Sequence, residues 1–321
     1  MMTGRPTDRI GQTTPESRRF PANMSFNGKD DYRILAESLP IPEAAAPGRL
    51  SKQKLLELID RLSERDFEIL ISLRHAKYLM TGQIQRLHIP DASTPTAALR
   101  AAARAMRKLS GMGLATTFKR RIGGVRAGSA SFVWHLTEAG YRLLDLRSYA
   151  YAAGQRKRHL EPSYIHMRHT IAIAECYVQL VEISRKAKNL VLNTVEWEPD
   201  CWRQYAQDGH DLQLKPDLCV VTYNDSYEDR WFIEIDLSTE ALPVVIDKCV
   251  RYHQYFRTGI EQRQHEIFPI TVWIVPDENR KQKLIDGLTE RFVNAPKLFV
   301  VITPDEFEHL ITHGATKNQM H

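Results

Sequence analysis

Two periodicities divide the chain. Between Ser51 and Arg147 apolar residues recur at helical spacing, whereas beyond Tyr164 short apolar runs of strand length alternate with helical segments. SERDFEILISLRHAKYL predicts a helix with Ser63 as N-cap, Asp66 at N3, and Phe67, Ile69, Leu70 and Leu73 behind it. TGQIQRLHI predicts a second, short helix capped by Thr81. STPTAALRAAARAMRKLSGMGL predicts a third, rich in Ala and Leu and ended by Gly111 and Gly113. ATTFKRRIGGVRAGSASFVWHLT has two β-prone runs around a Gly-rich, basic turn, the pattern of a hairpin. TEAGYRLLDLR follows as a helix capped by Thr137.

In the second half, HMRHTIAIAECYVQLVEISRK predicts a helix and LVLNTVEWE a strand, followed by a polar segment with Asp200, Asp208 and Asp211. PDLCVVTY and RWFIEIDLS read as two strands joined by a polar turn. EALPVVIDKCVRYHQYF is a helix, FPITVWIVP a strand, ENRKQKLIDGLTERFV a helix, KLFVVIT a strand and PDEFEHLI a short helix. The order α-β-β-β-α-β-α-β-α predicts a mixed sheet with helices on both faces.

These segments imply two domains in 321 residues. Residues 1–50 hold six of the 16 prolines and little periodicity; they read as a mostly disordered arm, with a short ordered piece near DDYRILAESL. Residues 51–146 form the first unit, polar and basic 147–164 the linker, 165–313 the second unit and 314–321 a tail. Charge sharpens the division. Residues 51–150 carry 17 Lys/Arg against 8 Asp/Glu, and residues 151–321 carry 20 against 25. A basic half suits a polyanion; an acidic half suits a cation. No apolar run approaches the length of a membrane span and the N-terminus shows no secretory signal, so a cytoplasmic protein is expected. The four cysteines form no C-x-x-C pair and read as reduced core thiols.

Three helices followed by a two-stranded hairpin is the order of a winged helix-turn-helix, with the third helix as recognition helix. Arg100, Arg104, Arg107 and Lys108 fall on or near one face of it. The hairpin tip adds Lys119, Arg120, Arg121 and Arg126, placed to reach a phosphate backbone or minor groove. Thr94 and Thr96 add phosphate contacts at the helix start. The plain alternative is a solvated basic face. Basic helix and basic wing in this order favour double-stranded DNA.

Carboxylates stand where apolar residues are expected in the paired strands. Asp217 opens the first, behind Pro216; Glu234 and Asp236 lie two apart in the second. Glu234 and Asp236 share a face, while Ile233, Ile235 and Leu237 point into the core. Three close, unpaired carboxylates repel one another and are costly to bury. A divalent cation removes both problems, and all-oxygen ligands suit Mg²⁺ or Mn²⁺. The competing expectation is that each acid pairs with Arg or Lys at a solvent-facing sheet end.

Pro216-Asp217 followed by Glu234-Ile235-Asp236 resembles the PD-(D/E)xK nuclease motif, and the element order resembles that superfamily's restriction-endonuclease-like core. The resemblance implies that Asp217 and Glu234 hold the metal. It implies a further Glu on the preceding helix, Glu175 or, one register on, Glu182, with Glu175 preferred. The chain departs at the third place, where Asp236 replaces the motif lysine. Either Lys248 supplies the ammonium, or Asp236 is itself a ligand, or catalysis has decayed. The run from FVWHLTEAGYRLL through HMRHTIAIAE to FIEIDLSTEALPVVIDKCVRYHQYF resembles the replication-relaxation family of bacterial mobile elements and is similar to MobC-class conjugative relaxases. That resemblance implies a metal-dependent nickase or relaxase at a plasmid origin. Two-fold symmetry is common among winged-helix proteins on inverted repeats, which leaves a homodimer open although no coiled-coil stretch argues for one, and leaves conjugation or replication accessory proteins open as partners.

The rival reading is a transcription or copy-number regulator with a winged helix and a decayed nuclease domain. A Tyr-dependent relaxase fits less well: His166 and His169 lie at a helix start rather than on a strand, and Tyr252 and Tyr255 read as helix-packing residues. No phosphate-binding loop of the G-x-x-x-x-G-K-[ST] type and no G-x-S-x-G elbow occurs.

Overall fold

The structure, a computed structural model, describes residues 50–118, 132–147, 162–224 and 227–321. The expected N-terminal arm, the basic wing tip with Lys119, Arg120, Arg121 and Arg126, and nearly all of the linker lie outside the described residues.

The first unit begins with a helix that the sequence reading missed, α1 (Lys52–Ile59), capped by the Ser51 hydroxyl accepting from the Lys54 amide at 3.1 Å. α2 (Glu64–Ala76) carries the expected capping box: the Asp66 carboxylate accepts from the Ser63 amide at 2.9 Å, and the Ser63 hydroxyl from the Asp66 amide at 3.3 Å. A two-residue strand β1 (Leu79–Met80) leads into α3 (Thr81–His88). Thr81 does not cap this helix; Met80 takes the cap position, and the Thr81 hydroxyl accepts from the Trp134 indole at 2.9 Å. α4 (Pro95–Gly111) starts at Pro95 behind the N-cap Thr94, whose hydroxyl accepts from the Ala97 amide at 3.1 Å. β2 (Ala115–Thr117), β3 (Val133–Leu136) and α5 (Glu138–Arg147) complete the unit. The strands form an antiparallel sheet in the order β1-β3-β2. At Gly140 the backbone of α5 passes so close to the Leu114 carbonyl oxygen that a Cβ would lie 2.2 Å from it.

The second unit opens with α6 (Tyr164–Lys186), which packs on both units. β4 (Val191–Trp197) follows, then a separate hairpin β5 (Arg203–Gln207) and β6 (His210–Leu214), then β7 (Leu218–Tyr223) and β8 (Glu228–Ile235). α7 (Leu242–Thr258), α8 (Ile260–His265), β9 (Ile270–Ile274), α9 (Glu278–Arg291), β10 (Phe299–Ile302) and α10 (Phe307–His313) finish the chain, with short 3-10 turns at its end. The sheet order is β10-β9-β8-β7-β4; β7 is antiparallel to β4 and β8, and the other neighbours are parallel. The chain is therefore mixed α/β, with helices on both faces of a mixed sheet. Ile173, Leu180 and Ile183 of α6 and Phe307 of α10 pack under Val220, Ile233, Val272 and Val300. Val245, Cys249 and Tyr252 of α7 and Leu284 of α9 cover Phe232, Trp273 and Phe299 on the opposite face.

The other side of α6 joins the first unit. Ala174, Val178 and Val181 belong to the same core as Leu55, Ile84 and Met106. Arg86 of α3 donates to Glu182 at 2.5 Å and to Glu175, and Gln83 donates to Glu175 at 3.0 Å. Among the described residues, no helix is long and apolar enough to cross a membrane.

Candidate functional site

The paired strands β7 and β8 fix the two best-placed carboxylates. The Asp217 amide donates to the Ile233 carbonyl at 3.1 Å, so the strand pairing extends through this residue. Asp217 Oδ2 accepts from the Ile235 amide at 2.8 Å. His169 Nε2, from the first turns of α6, lies 3.3 Å from Asp217 Oδ2 and 3.0 Å from the Ile235 carbonyl oxygen. Glu234 is 1% exposed and takes hydrogen bonds from Lys248 Nζ and from the Tyr252 hydroxyl at 2.5 Å. Lys248 and Tyr252 are four apart on α7, hence on one face.

Asp236 faces another partner. Its Oδ2 accepts from Arg280 Nε of α9 at 2.6 Å and its Oδ1 from the Ser238 amide at 2.7 Å. Arg280 also donates to the Glu240 carbonyl at 3.0 Å. The three carboxylates thus receive three cationic side chains from three helices: His169 from α6, Lys248 from α7 and Arg280 from α9. This offsets part of the repulsion that their sequence spacing implies, though Asp217 still acts to raise Glu234.

The electrostatics differ from acid to acid. Burial alone would raise Asp217, but the hydrogen bond from His169 and the charge of Lys248 outweigh it and hold the carboxyl below its ordinary range. Burial pushes Glu234 up to about 7 despite Lys248. Burial opposes the charge on Lys248, yet Glu234 and Asp217 hold the ammonium above its ordinary pKa. His169, lowered by burial but bonded to Asp217, ends raised to about 9.

Beside this cluster lies an open cleft of about 430 Å³ lined by Gln213, Leu214, Lys215, Lys248 and Arg251. Lys248 therefore belongs to both places. Lys215 Nζ also sits 4.4 Å from the Trp202 ring centroid.

Asp217, Glu234 and the Ile235 carbonyl would offer a cation a donor set of oxygens only, the atom type a hard divalent ion takes, and each is bonded here to protein groups: His169, the Ile235 amide, Lys248 and Tyr252. Among the described residues, no group of three or more His, Cys, Asp and Glu side chains is arranged to hold a metal. The donor set has only two side chains, its third oxygen being main-chain. Two of the expected ligands, Glu175 and Asp236, are bonded to other protein groups. Glu175 faces α3, because Glu175, Val178 and Glu182 recur on the side of α6 turned to the first unit; its carboxylate is held by Arg86 and Gln83. Asp236 is held by Arg280 and the Ser238 amide, whereas Glu234 is held by Lys248 and Tyr252. His169 and Arg280, the polar partners that sequence reasoning did not assign, lie 66 and 44 residues from the backbone and side-chain atoms they bond, too far for any local spacing rule. Tyr252 had a local signal: it lies one helical turn beyond Lys248.

On α4, Arg100 and Arg104 are exposed and Arg107 is half-buried, donating to the Ala103 carbonyl at 3.3 Å. Lys108 is bound to Asp66 at 2.5 Å, which ties it to the capping box of α2. Thr94 is a helix cap, and Thr96 is half-buried.

A small helical unit with a three-stranded sheet, joined through a shared helix to a five-stranded mixed sheet with an acid pair at the end of β7 and β8, defines the class of protein. The family model described as replication-relaxation matches residues 70–271, from α2 through both acids to β9, and the chain belongs to the replication-relaxation family. Membership points to a role in plasmid or mobile-element replication or mobilisation. No curated protein matches the sequence. Among solved structures the chain is similar to restriction endonuclease FokI bound to DNA, with 13% identity, a TM-score of 0.23, and coverage of 84% of this chain and 47% of that one. For FokI without DNA the identity is 11% and the TM-score 0.22, with coverage of 84% and 65%. The chain spans less than two thirds of either structure, and likeness this slight carries no weight for its fold or function.

Proposed function

We propose that the protein binds double-stranded DNA at the origin region of a mobile element through its first unit and nicks a phosphodiester at the Asp217 and Glu234 centre. The observation that carries the reading is the convergence of Asp217, Glu234 and Lys248 beside a basic cleft. The winged-helix reading of the first unit is supported by its order of helices and strands and by the sheet order β1-β3-β2. Arg100 and Arg104, exposed on α4, suit duplex phosphates.

Asp217, Glu234 and the Ile235 carbonyl would hold Mg²⁺ or Mn²⁺, which supplies phosphoryl charge stabilisation and a water of lowered pKa. Lys248 keeps its proton at Nζ and stands where a negative phosphoryl oxygen gains from a fixed positive charge. It thereby takes the role of the motif lysine that Asp236 replaces. Tyr252 orients Glu234 from below.

One observation favours a second reading. Pairing each of the three acids with its own cation satisfies them without any metal, as a non-catalytic regulator would need. A supercoiled plasmid carrying the cognate origin separates the two. Nicking in Mn²⁺ or Mg²⁺, abolished by EDTA and lowered at least 100-fold in Asp217→Asn and Glu234→Gln, is the expected result. Salt-sensitive binding with no nicking by any variant would leave the regulator.

A further inference from the structure

We infer that the cleft between β6 and α7 is a seat for the backbone phosphates of a single DNA strand, delivered by Lys215 and Arg251 toward Lys248. The inference deepens the proposed function, because it assigns a strand path to the same centre.

Three cations line one concavity of about 430 Å³: Lys215, Lys248 and Arg251. Lys248 and Arg251 are three apart on α7 and so project from the same side. Lys215 comes from the other wall, two residues before Asp217. Lys215 and Arg251 are both exposed, and among the described residues neither forms an ion pair with a carboxylate. Surface cations of a folded protein gain little from staying unpaired in a shared hollow, whereas a polyanion there displaces counterions. Lys248 lines the same cleft and is bonded to Glu234, which joins the cleft to the acid pair. A phosphate passing from Lys215 and Arg251 to Lys248 therefore arrives at the acid pair. The negative charges that act on Lys248 are Glu234, Asp217 and Glu240.

The occupant is a strand rather than a free anion on two grounds. The cleft is open, and its cations are spread over both walls instead of converging on one point. The Trp202 ring packs against Lys215, so an aromatic side chain accompanies one of the cleft's cations, and single-strand sites combine basic grooves with aromatic side chains. The Gln213 amide adds a neutral hydrogen-bonding group to the lining.

The test uses the full chain in EDTA, so that cutting plays no part. The probes are a fluorescein-labelled 12-nucleotide oligo-dT and a labelled origin duplex, titrated by anisotropy at several salt concentrations. Lys215→Ala with Arg251→Ala should weaken oligo-dT binding about tenfold and lower the logarithmic salt slope by about 1.4, as loss of two phosphate contacts requires. The same variant should bind the duplex within about twofold of wild type. Arg100→Ala with Arg104→Ala should do the reverse, and its failure to weaken the duplex would count against the proposed function without touching the cleft. Arg251→Glu, a single surface change, repeats the cleft test should the double variant fold poorly. Unchanged oligo-dT affinity and slope in the cleft variants would overturn the inference. So would displacement of the oligonucleotide by millimolar inorganic phosphate at constant ionic strength, which would reassign the cleft to a free anion.

Discussion

At the scale of single residues, acids inside a β hairpin pose a problem that the fold answers with cations. Asp217 and Glu234 were legible as a pair, because a strand pairing brings Pro216-Asp217 opposite the end of the Glu234 strand. His169 was not, since only the approach of α6 to the sheet end brings its ring to Asp217 and the Ile235 carbonyl. The His169 contact has a pH signature. Its folded pKa is raised from 6.5 to about 9, so its stabilising contribution is complete below 6.5 and is lost as pH rises through 9. With one third of the side chain exposed and screened, the contribution is on the order of 1–2 kcal/mol. Urea unfolding of wild type and His169→Ala should show a stability gap that narrows by that amount between pH 6 and pH 9.5. A constant gap would mean that the ring acts by packing alone.

At the scale of elements, the apolar runs of β7 to β10 gave themselves away by strand-length hydrophobicity bounded by turns, and the capping box of α2 by Ser63 and Asp66. The β5–β6 hairpin did not. Its sequence RQYAQDGHDLQL is polar on both faces, because the hairpin stands outside the main sheet and buries only Tyr205 and Leu214. Its Asp208-Gly209 turn, with φ of 50° and 78°, was the overlooked signal. α6 was legible as a helix but not in its two loyalties. The face bearing Ile173, Leu180 and Ile183 serves the sheet, and the face bearing Val178 and Val181 serves the first unit. Arg86 between Glu175 and Glu182 belongs to the polar part of that second interface, with Gln83 and Arg185. Replacing Arg86 by Met leaves two half-buried carboxylates without the cation that bridges them. The expected cost is about 1–3 kcal/mol, read as a lowered urea midpoint. Glu175→Gln with Glu182→Gln in the Arg86→Met background should restore much of it.

At the scale of the whole molecule, the charge division between the halves of the chain has a spatial counterpart. The exposed arginines of α4 belong to the first unit; the acid pair and its bordering basic cleft belong to the second; α6 connects the cores of both. The family match spans the same extent, from α2 to β9. Under the proposed function Asp217 and Glu234 form one cation-holding centre, and Asp236 and Glu175 take no part in it. Calorimetric titration of the full chain with Mn²⁺ tests it most directly. The account predicts one Mn²⁺ per chain, lost in Asp217→Asn and in Glu234→Gln and retained in Asp236→Asn and Glu175→Gln. Absence of Mn²⁺ binding to the wild type, or its loss in Asp236→Asn to the same degree as in Asp217→Asn, would contradict the account.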